Sequence, residues 1–370
     1  MDNAIFSFPN WSDEAAAVLF GGDWSAGALS RLQLDDINNR AITADATADS
    51  TKLEVDIGAS RDIRVIAFDN NSLSVRSTRR VRVSNTAAFS GATVSGAHSS
   101  GVSSVSFQAG TSFDLNISEG DAFTIEGDST IYTATAGATI SSSATGSVSF
   151  TPVLAENAAD EAVITCRSGD YTDALYDDGE QVDVYDTIYP FGTLPFYHPS
   201  WLDGKPTQRD IDEGTFPLVI VLPKTIFARY MKVEFVDESN PDGQISIGRM
   251  FFARGVQPTY NIAYGETTVG FTTQTKVETA LSGRRIYTPK PMQRIMPIGI
   301  NNLPKREALT TFFDMQRKLG KHKQLFFIMQ PDEPEFTSRT SFTATLAELD
   351  PFQFPYFNVN NVGMQLMEAI

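Results

Sequence analysis

FPLVIVLPKTIFARYMKVEFVDESNPDGQISIGRMFFA, residues 216–253, is the stretch from which the fold is read. An apolar run over 216–222 is followed by a turn, an alternating strand over 229–236, the turn Asn240-Pro241-Asp242-Gly243 and a last strand. Period-two alternation bounded by Asn, Pro, Asp and Gly marks strands joined by tight turns. Outward from there the same signal recurs at 52–57, 64–68, 79–83 and 122–125. Helical periodicity is scarce. It predicts one short helix over 13–20, capped by Ser12 or Asp13 and stopped by Gly21-Gly22, and one long helix over 305–319. The long helix opens at Pro304, closes at Gly320, and offers Leu309, Phe312, Phe313 and Met315 as its buried stripe. The chain reads as mainly β with one substantial helix.

Composition excludes several classes of function. The 370 residues carry 29 basic and 45 acidic side chains, a net charge of −16, which repels phosphate backbones and anionic lipid. No apolar run approaches the roughly 20 residues of a membrane span, and MDNAIFSFPNWSDE lacks the basic and apolar regions of a secretory signal. Neither sequence-specific nucleic-acid binding nor membrane insertion is expected. The single cysteine, Cys166, excludes an intrachain disulfide framework, and a buried, inert thiol is its expected state. From residue 256 onward there are 12 basic and 10 acidic side chains, which leaves 17 and 35 for the first 255. Regions with such different electrostatics read as separate domains.

Residues 85–166 differ from both flanks. They are rich in Ser, Thr, Ala and Gly and contain no Lys or Arg. Strands are nonetheless predicted at 102–107, 112–116, 121–126, 130–135, 147–151 and 161–165, and Phe107, Phe113, Phe123, Tyr132 and Phe150 suit a core, not a linker. A small inserted β-domain is expected. Around it, RDIRVIAFDNNSLSVRSTRRVRVS (residues 61–84) gives two strands and a polar turn, and SGDYTDALYDDGE (168–180) resumes a polar loop.

The ARYMKVEF…NPDGQISIGRMFF run resembles the closing strands of galactose-binding-like, discoidin-type jelly rolls. It resembles more closely the version found in tail-tip proteins of long-tailed, siphovirus-like bacteriophages, which also pair an IRVIAF-like strand with an Asn-rich turn and an Arg-rich strand. The insert is similar to a small β-module of phage capsid and tail proteins, with GD-x-FTI-x-G, Tyr-x-Thr and Thr-Pro-x-Leu falling on Gly120, Asp121, Phe123, Thr124, Ile125, Gly127, Tyr132, Thr133, Thr151, Pro152 and Leu154. The last 115 residues, with strands at 259–264, 269–280, 324–329 and 341–349 beside the long helix, resemble the split barrel of tail-tube and distal-tail proteins. These resemblances imply three domains: a galactose-binding-like jelly-roll sandwich over 1–84 with 167–255, an inserted β-domain over 85–166, and a tail-tube-like split-barrel domain over 256–370. They imply a structural protein of the virion tail tip or baseplate, made in the host cytoplasm. Its partners would be other copies of itself in a ring or trimer, the tail tube, tape-measure or hub proteins and fibre proteins.

Catalysis is not expected. None of His98, His198 and His322 sits in a nucleophile context, and there is no glycine-rich phosphate loop. Three surfaces remain candidates for binding. TIYPFGTLPFYHPSW (187–201) sets Tyr189, Phe191, Phe196, Tyr197, His198 and Trp201 on a proline-stiffened loop. Such rings either stack on a host-surface glycan or anchor a protein, or else fold inward over the end of the sandwich. The acidic run Asp170, Asp173, Asp177, Asp178, Glu180, Asp183 and Asp186 suits either a solvated loop or a structural calcium held by Asp173, Asp177, Asp178 and Glu180. A second calcium-like start at Glu238-x-Asn240-x-Asp242-Gly243 fails because Arg249 stands where the closing carboxylate belongs. Finally, the basic run from Arg284 to His322 supplies Arg284, Arg285, Arg306, Arg317 and Lys318 as candidate oligomer or tube contacts. The apolar terminus adds Met367 and Ile370, covered by a neighbour or serving as an edge strand. The leading expectation is the structural one, with a carbohydrate-binding host-recognition module second.

Overall fold

The computed structural model describes residues 3–48, 50–86, 91–111, 114–168, 174–179, 182–213 and 216–370. Strands make up 45 % of the chain and helices 10 %, so the protein is mainly β.

The spine is a pair of 19-residue strands, Leu53–Asn71 and Leu218–Val236, which run antiparallel from Leu53 opposite Val233 to Phe68 opposite Leu218. The sequence divides each into two strands; the structure runs them through, because the breaks coincide. Register slips between Val221 and Ile226 and again between Ala228 and Tyr230, with Gly58 at φ +77°. The extra residues are absorbed as bulges that bend both strands together. Thr78–Ser84 flanks the pair on one side and Ser246–Val256 on the other. Alternate residues Leu53, Val55, Ile57, Met231, Val233, Phe235, Val81 and Val83 pack one core with Trp24, Leu32, Met250 and Phe252. The expected turn before Ser246 forms as read. The Asp237 carboxylate accepts hydrogen bonds from the Ser74 backbone amide (2.9 Å), the Ser74 hydroxyl and the Asn240 side-chain Nδ2 (2.7 Å), and Gly243 takes φ +65°.

The helix expected over 13–20 does not form. Trp11–Asp13 is a single 3-10 turn and Val18–Phe20 is a strand paired to Glu54–Asp56 across the sheet. Asp13, the expected cap, instead meets the buried Arg249 guanidinium at 2.9 and 2.7 Å. Tertiary pairing outweighs the weak helix preference of an eight-residue segment.

The sheet does not stop where the first domain was expected to end. Ile5–Asn10 pairs with Ser246–Val256 on one side and with Leu325–Ile328 on the other. Phe6 points into a second core, 5.7 Å from Phe312 and 5.1 Å from Phe327, while Ile5 joins Val65, Phe251, Phe326 and Ile328 on the opposite face. The network then continues through Ser341–Glu348, Val359–Glu368, Met292–Pro304 and Gly270–Thr273, 15 strands among the described residues. Residues 305–319 are helical as expected, with a π turn at Ala308–Phe312. The buried stripe is Ala308, Phe312, Met315 and Leu319; Phe313, one position round the helix, is exposed, and Leu309 is half-buried. No strand forms over 259–264, where the Asn261 side chain instead accepts the Ala4 amide at 3.0 Å.

The C-terminal strand also corrects an expectation. Val359–Glu368 is neither an edge nor a tail awaiting a neighbour, since it is hydrogen-bonded to Met292–Pro304 and to Ser341–Glu348. Val362, Met364 and Leu366 are buried, Met367 is half-buried, and Glu368 accepts the Arg294 guanidinium at 2.9 Å.

Within the insert, Ala92–Val94, Ser104–Gln108, Ala122–Ile125, Tyr132–Ala134, Thr145–Thr151 and Val163–Ser168 close a six-stranded barrel. Phe107, Phe123, Tyr132 and Phe150 fill it, with neighbouring ring centroids 4.9–5.9 Å apart. The Tyr132 hydroxyl donates to Asp128 and accepts the Ala155 amide at 2.9 Å, so the buried phenol is satisfied.

Removing residues 361–370 takes out an inner strand, not an accessory tail. In calorimetry the truncated chain should lose the unfolding transition of the second core while keeping that of the barrel. Retention of every transition would show that the strand is dispensable.

Candidate functional site

Residues 270–292 leave the body of the protein as a two-stranded arm. Gly270–Thr273 pairs with the start of Met292–Pro304, and beyond it Lys276–Thr279 pairs with Arg285–Thr288 as a separate ribbon. The ribbon turns at Ala280–Arg284, where Gly283 takes φ +79°. All side chains from 281 to 292 are exposed, and so are both strands of the ribbon. Its apolar residues are Phe271, Val277, Leu281, Ile286, Tyr287 and Met292, exposed by 51 % or more of their area. An isolated two-stranded ribbon is marginal in water, and a cluster of exposed apolar side chains is uncommon on a surface that meets only water. Four basic side chains against one acidic make the arm cationic. A shorter strip, Gln353–Tyr356, edges the same unit and exposes Phe354, Tyr356 and Phe357; Lys305 lies over the Phe357 ring at 5.6 Å.

The predicted contact residues are distributed unequally over these features. Arg284 and Arg285 lie at the tip of the arm. Arg306 is at the start of the long helix and Arg317 and Lys318 at its end, an axial rise of about 16 Å away. All three are exposed, and Arg317 pairs with Asp314 at 3.1 Å. Ile370 is exposed, whereas Met367 lies within the inner strand. The sequence reading did not single out the apolar side of the arm. Its signal, exposed alternation on both faces, is indistinguishable in sequence from a strand with one face in a core.

The aromatic loop presents its rings outward. Phe191, Phe196, Tyr197 and Leu202 are exposed, Tyr197 by 93 %, and they do not plug the end of the sheet. Trp201 is half-buried beneath Phe196 (4.8 Å) and Phe191 (6.0 Å). Tyr189 and His198 stack edge-on at 5.8 Å, and His198 Nδ1 accepts the Ser200 amide at 3.2 Å. Burial and the neighbouring Asp210 raise the Tyr189 hydroxyl above its ordinary range. Burial pushes the Asp210 carboxyl up, but hydrogen bonds from the Thr207 amide and hydroxyl and from Tyr189, with the nearby His198, bring it below its ordinary value. Gly204 closes the loop: its carbonyl accepts the Ile188 and Tyr189 amides, each at 2.9 Å.

In the acidic run, Asp177 and Asp178 are committed to the arginine-rich strand Thr78–Ser84. Asp177 takes Arg80 through two hydrogen bonds, 3.1 and 2.7 Å, which hold its carboxyl below the ordinary range. Asp178 accepts the Val81 amide at 2.6 Å and faces Arg79 at 3.4 Å; its burial nonetheless raises it. Asp173 and Glu180 lie outside the described residues. Among the described residues no three His, Cys, Asp or Glu side chains converge on a metal-sized site. Cys166 is buried.

No protein-family model matches the chain, and a comparison with curated proteins finds no significant match.

A Cβ on Gly204, at φ +64°, would sit 2.3 Å from the Tyr189 carbonyl oxygen. Gly204→Ala should therefore cost at least about 2 kcal/mol in urea denaturation. Tyr197→Ser, on the same loop but in water, should stay within about 0.5 kcal/mol of the parent.

Proposed function

We propose that the chain is a structural subunit of a bacteriophage tail tip or baseplate, self-assembling into a ring or trimer through its arm. The observation that carries the reading is the arm itself: a ribbon exposed on both faces, apolar along its length and basic at its tip. Its charge complements the acidic first 255 residues of another copy. The sequence resemblances to phage tail proteins supply the setting, with the tail tube, hub and fibre proteins as further partners. Assembly of this kind needs no covalent chemistry; burial of the apolar arm against a neighbour provides the driving force.

A second reading is a host-recognition module that binds glycans through the loop over 187–204. The outward rings Phe191 and Tyr197 favour it, because a ring in water is available to stack on a sugar face. Loss of glycan-array signal in a Phe191→Ala, Tyr197→Ala double variant would support this role.

Light scattering and negative-stain images of the intact protein test the structural reading. A trimer or ring is expected, and replacement of residues 276–288 by a short Asn-Gly turn should give folded monomers, since those residues belong to no core. A parent protein that stays monomeric at all concentrations, or a ring that survives loss of the arm, would overturn it.

A further inference from the structure

The second face of the long strand pair is charged in sequence and buried in the structure. Lys232 lies directly across from Glu54, Arg82 lies across from Lys232, and one step along, Tyr230 lies between Asp56 and Ser84. All six side chains are at most 6 % exposed. What covers them is the barrel. Val163–Ser168 packs against both long strands, the buried Asp121 faces Glu54, and a Cβ on Gly120 would lie 3.9 Å from Lys52 Nζ.

Most of this layer is paired. Arg82 meets Glu234 at 2.7 Å, Lys232 meets Glu234 at 3.5 Å, and Arg229 grips Asp56 at 2.7 and 2.9 Å. Glu54 has no such partner at its Oε2: that buried oxygen accepts no hydrogen bond among the described residues. A buried, incompletely bonded carboxylate is expensive, and protonation removes the cost.

We propose that Glu54 is a proton-operated latch between barrel and sheet: the barrel stays seated while the carboxyl carries its proton and is released as the carboxyl ionises. Among the described residues, the groups facing Glu54 come from each element packed on it. Asp56 lies on its own strand and Lys52 just before it, Lys232 and Glu234 on Leu218–Val236, Arg82 on Thr78–Ser84 and Asp121 on the barrel, while the neighbouring strand contributes the uncharged Phe20, followed by Gly21. Burial raises the Glu54 carboxyl to about 8, Lys232 and Lys52 pull it down, and Asp121 and Glu234 push it up.

The sign follows. With the barrel lifted, Glu54 meets water and titrates near its ordinary 4.5. Seating is therefore tightest below that value and weakens about tenfold per pH unit up to about 8, between three and four powers of ten in all. The barrel, with its own closed sheet and core, moves as a unit.

The test uses the full chain with Cys166→Ala and spin labels at two exposed positions, Ser142→Cys on the barrel and Lys224→Cys on the body. Between pH 5 and 9 a single short-distance population should give way to a second, broader one. Glu54→Gln, permanently neutral, should show only the first. A parent distribution that does not change with pH, or a Glu54→Gln protein that changes as the parent does, would overturn the proposal. A carbon-13 carboxyl titration of the parent protein checks the same point without relying on a variant: a Glu54 midpoint near 4.5 overturns it and one near 8 supports it.

Discussion

Two strands of nineteen residues, Leu53–Asn71 and Leu218–Val236, bond to each other along almost their whole length, and each other part of the protein takes its place from them. Because side chains alternate, one face of the pair carries Leu53, Val55, Met231 and Val233 into a core and the other carries Glu54, Asp56, Lys232 and Glu234. A single alternating pattern thus sets up two buried interfaces of opposite chemistry. The first is held by apolar area. The second is held by ion pairs that must be nearly complete, because a charge out of water is tolerated only with its partner in place.

The long pair alone would leave an open edge beyond Ser246–Val256. Ile5–Asn10 fills it and, through its other edge, recruits Leu325–Ile328. Phe6 on one side and Ile5 on the other then bind the second core and the inter-unit face at once. Joining by main-chain hydrogen bonds makes the two halves a continuous sheet, stiffer than two bodies joined by a linker. The arm extends from this frame without adding to either core, and this is the ground on which we propose it as a surface for another chain.

Much of this was legible. The barrel strands around Phe107, Phe123, Tyr132 and Phe150 are visible because aromatic and β-branched residues alternate between turn glycines, and the helix over 305–319 shows its caps and its spacing. The helix predicted over 13–20 failed because Ala-rich sequence expresses only local preference, while Val18–Phe20 answers to the strand beside it. Ala92–Val94 and Ala138–Ile140 were missed because three residues hold too little pattern to register. The helix Pro334–Thr340 has no buried residue and so no stripe to read. Of the candidate surfaces, the aromatic loop could be named from sequence, but whether its rings faced inward or outward could not.

The sequence by itself determined the mainly β class, the composition boundary of the insert, the Asn240–Gly243 turn and the identity of the side chains available for binding. These depend on neighbours within a few positions, where propensity, period and turn chemistry act. Only the tertiary structure decided that the paired short runs are two continuous strands, that the terminal strand Val359–Glu368 lies inside the sheet, that Asp177 and Asp178 are occupied by arginines, and that a charged face lies under the barrel. Each of these depends on a partner far away in the chain. Alternation tells which residues share a face, but only the element packed against that face determines whether it meets water.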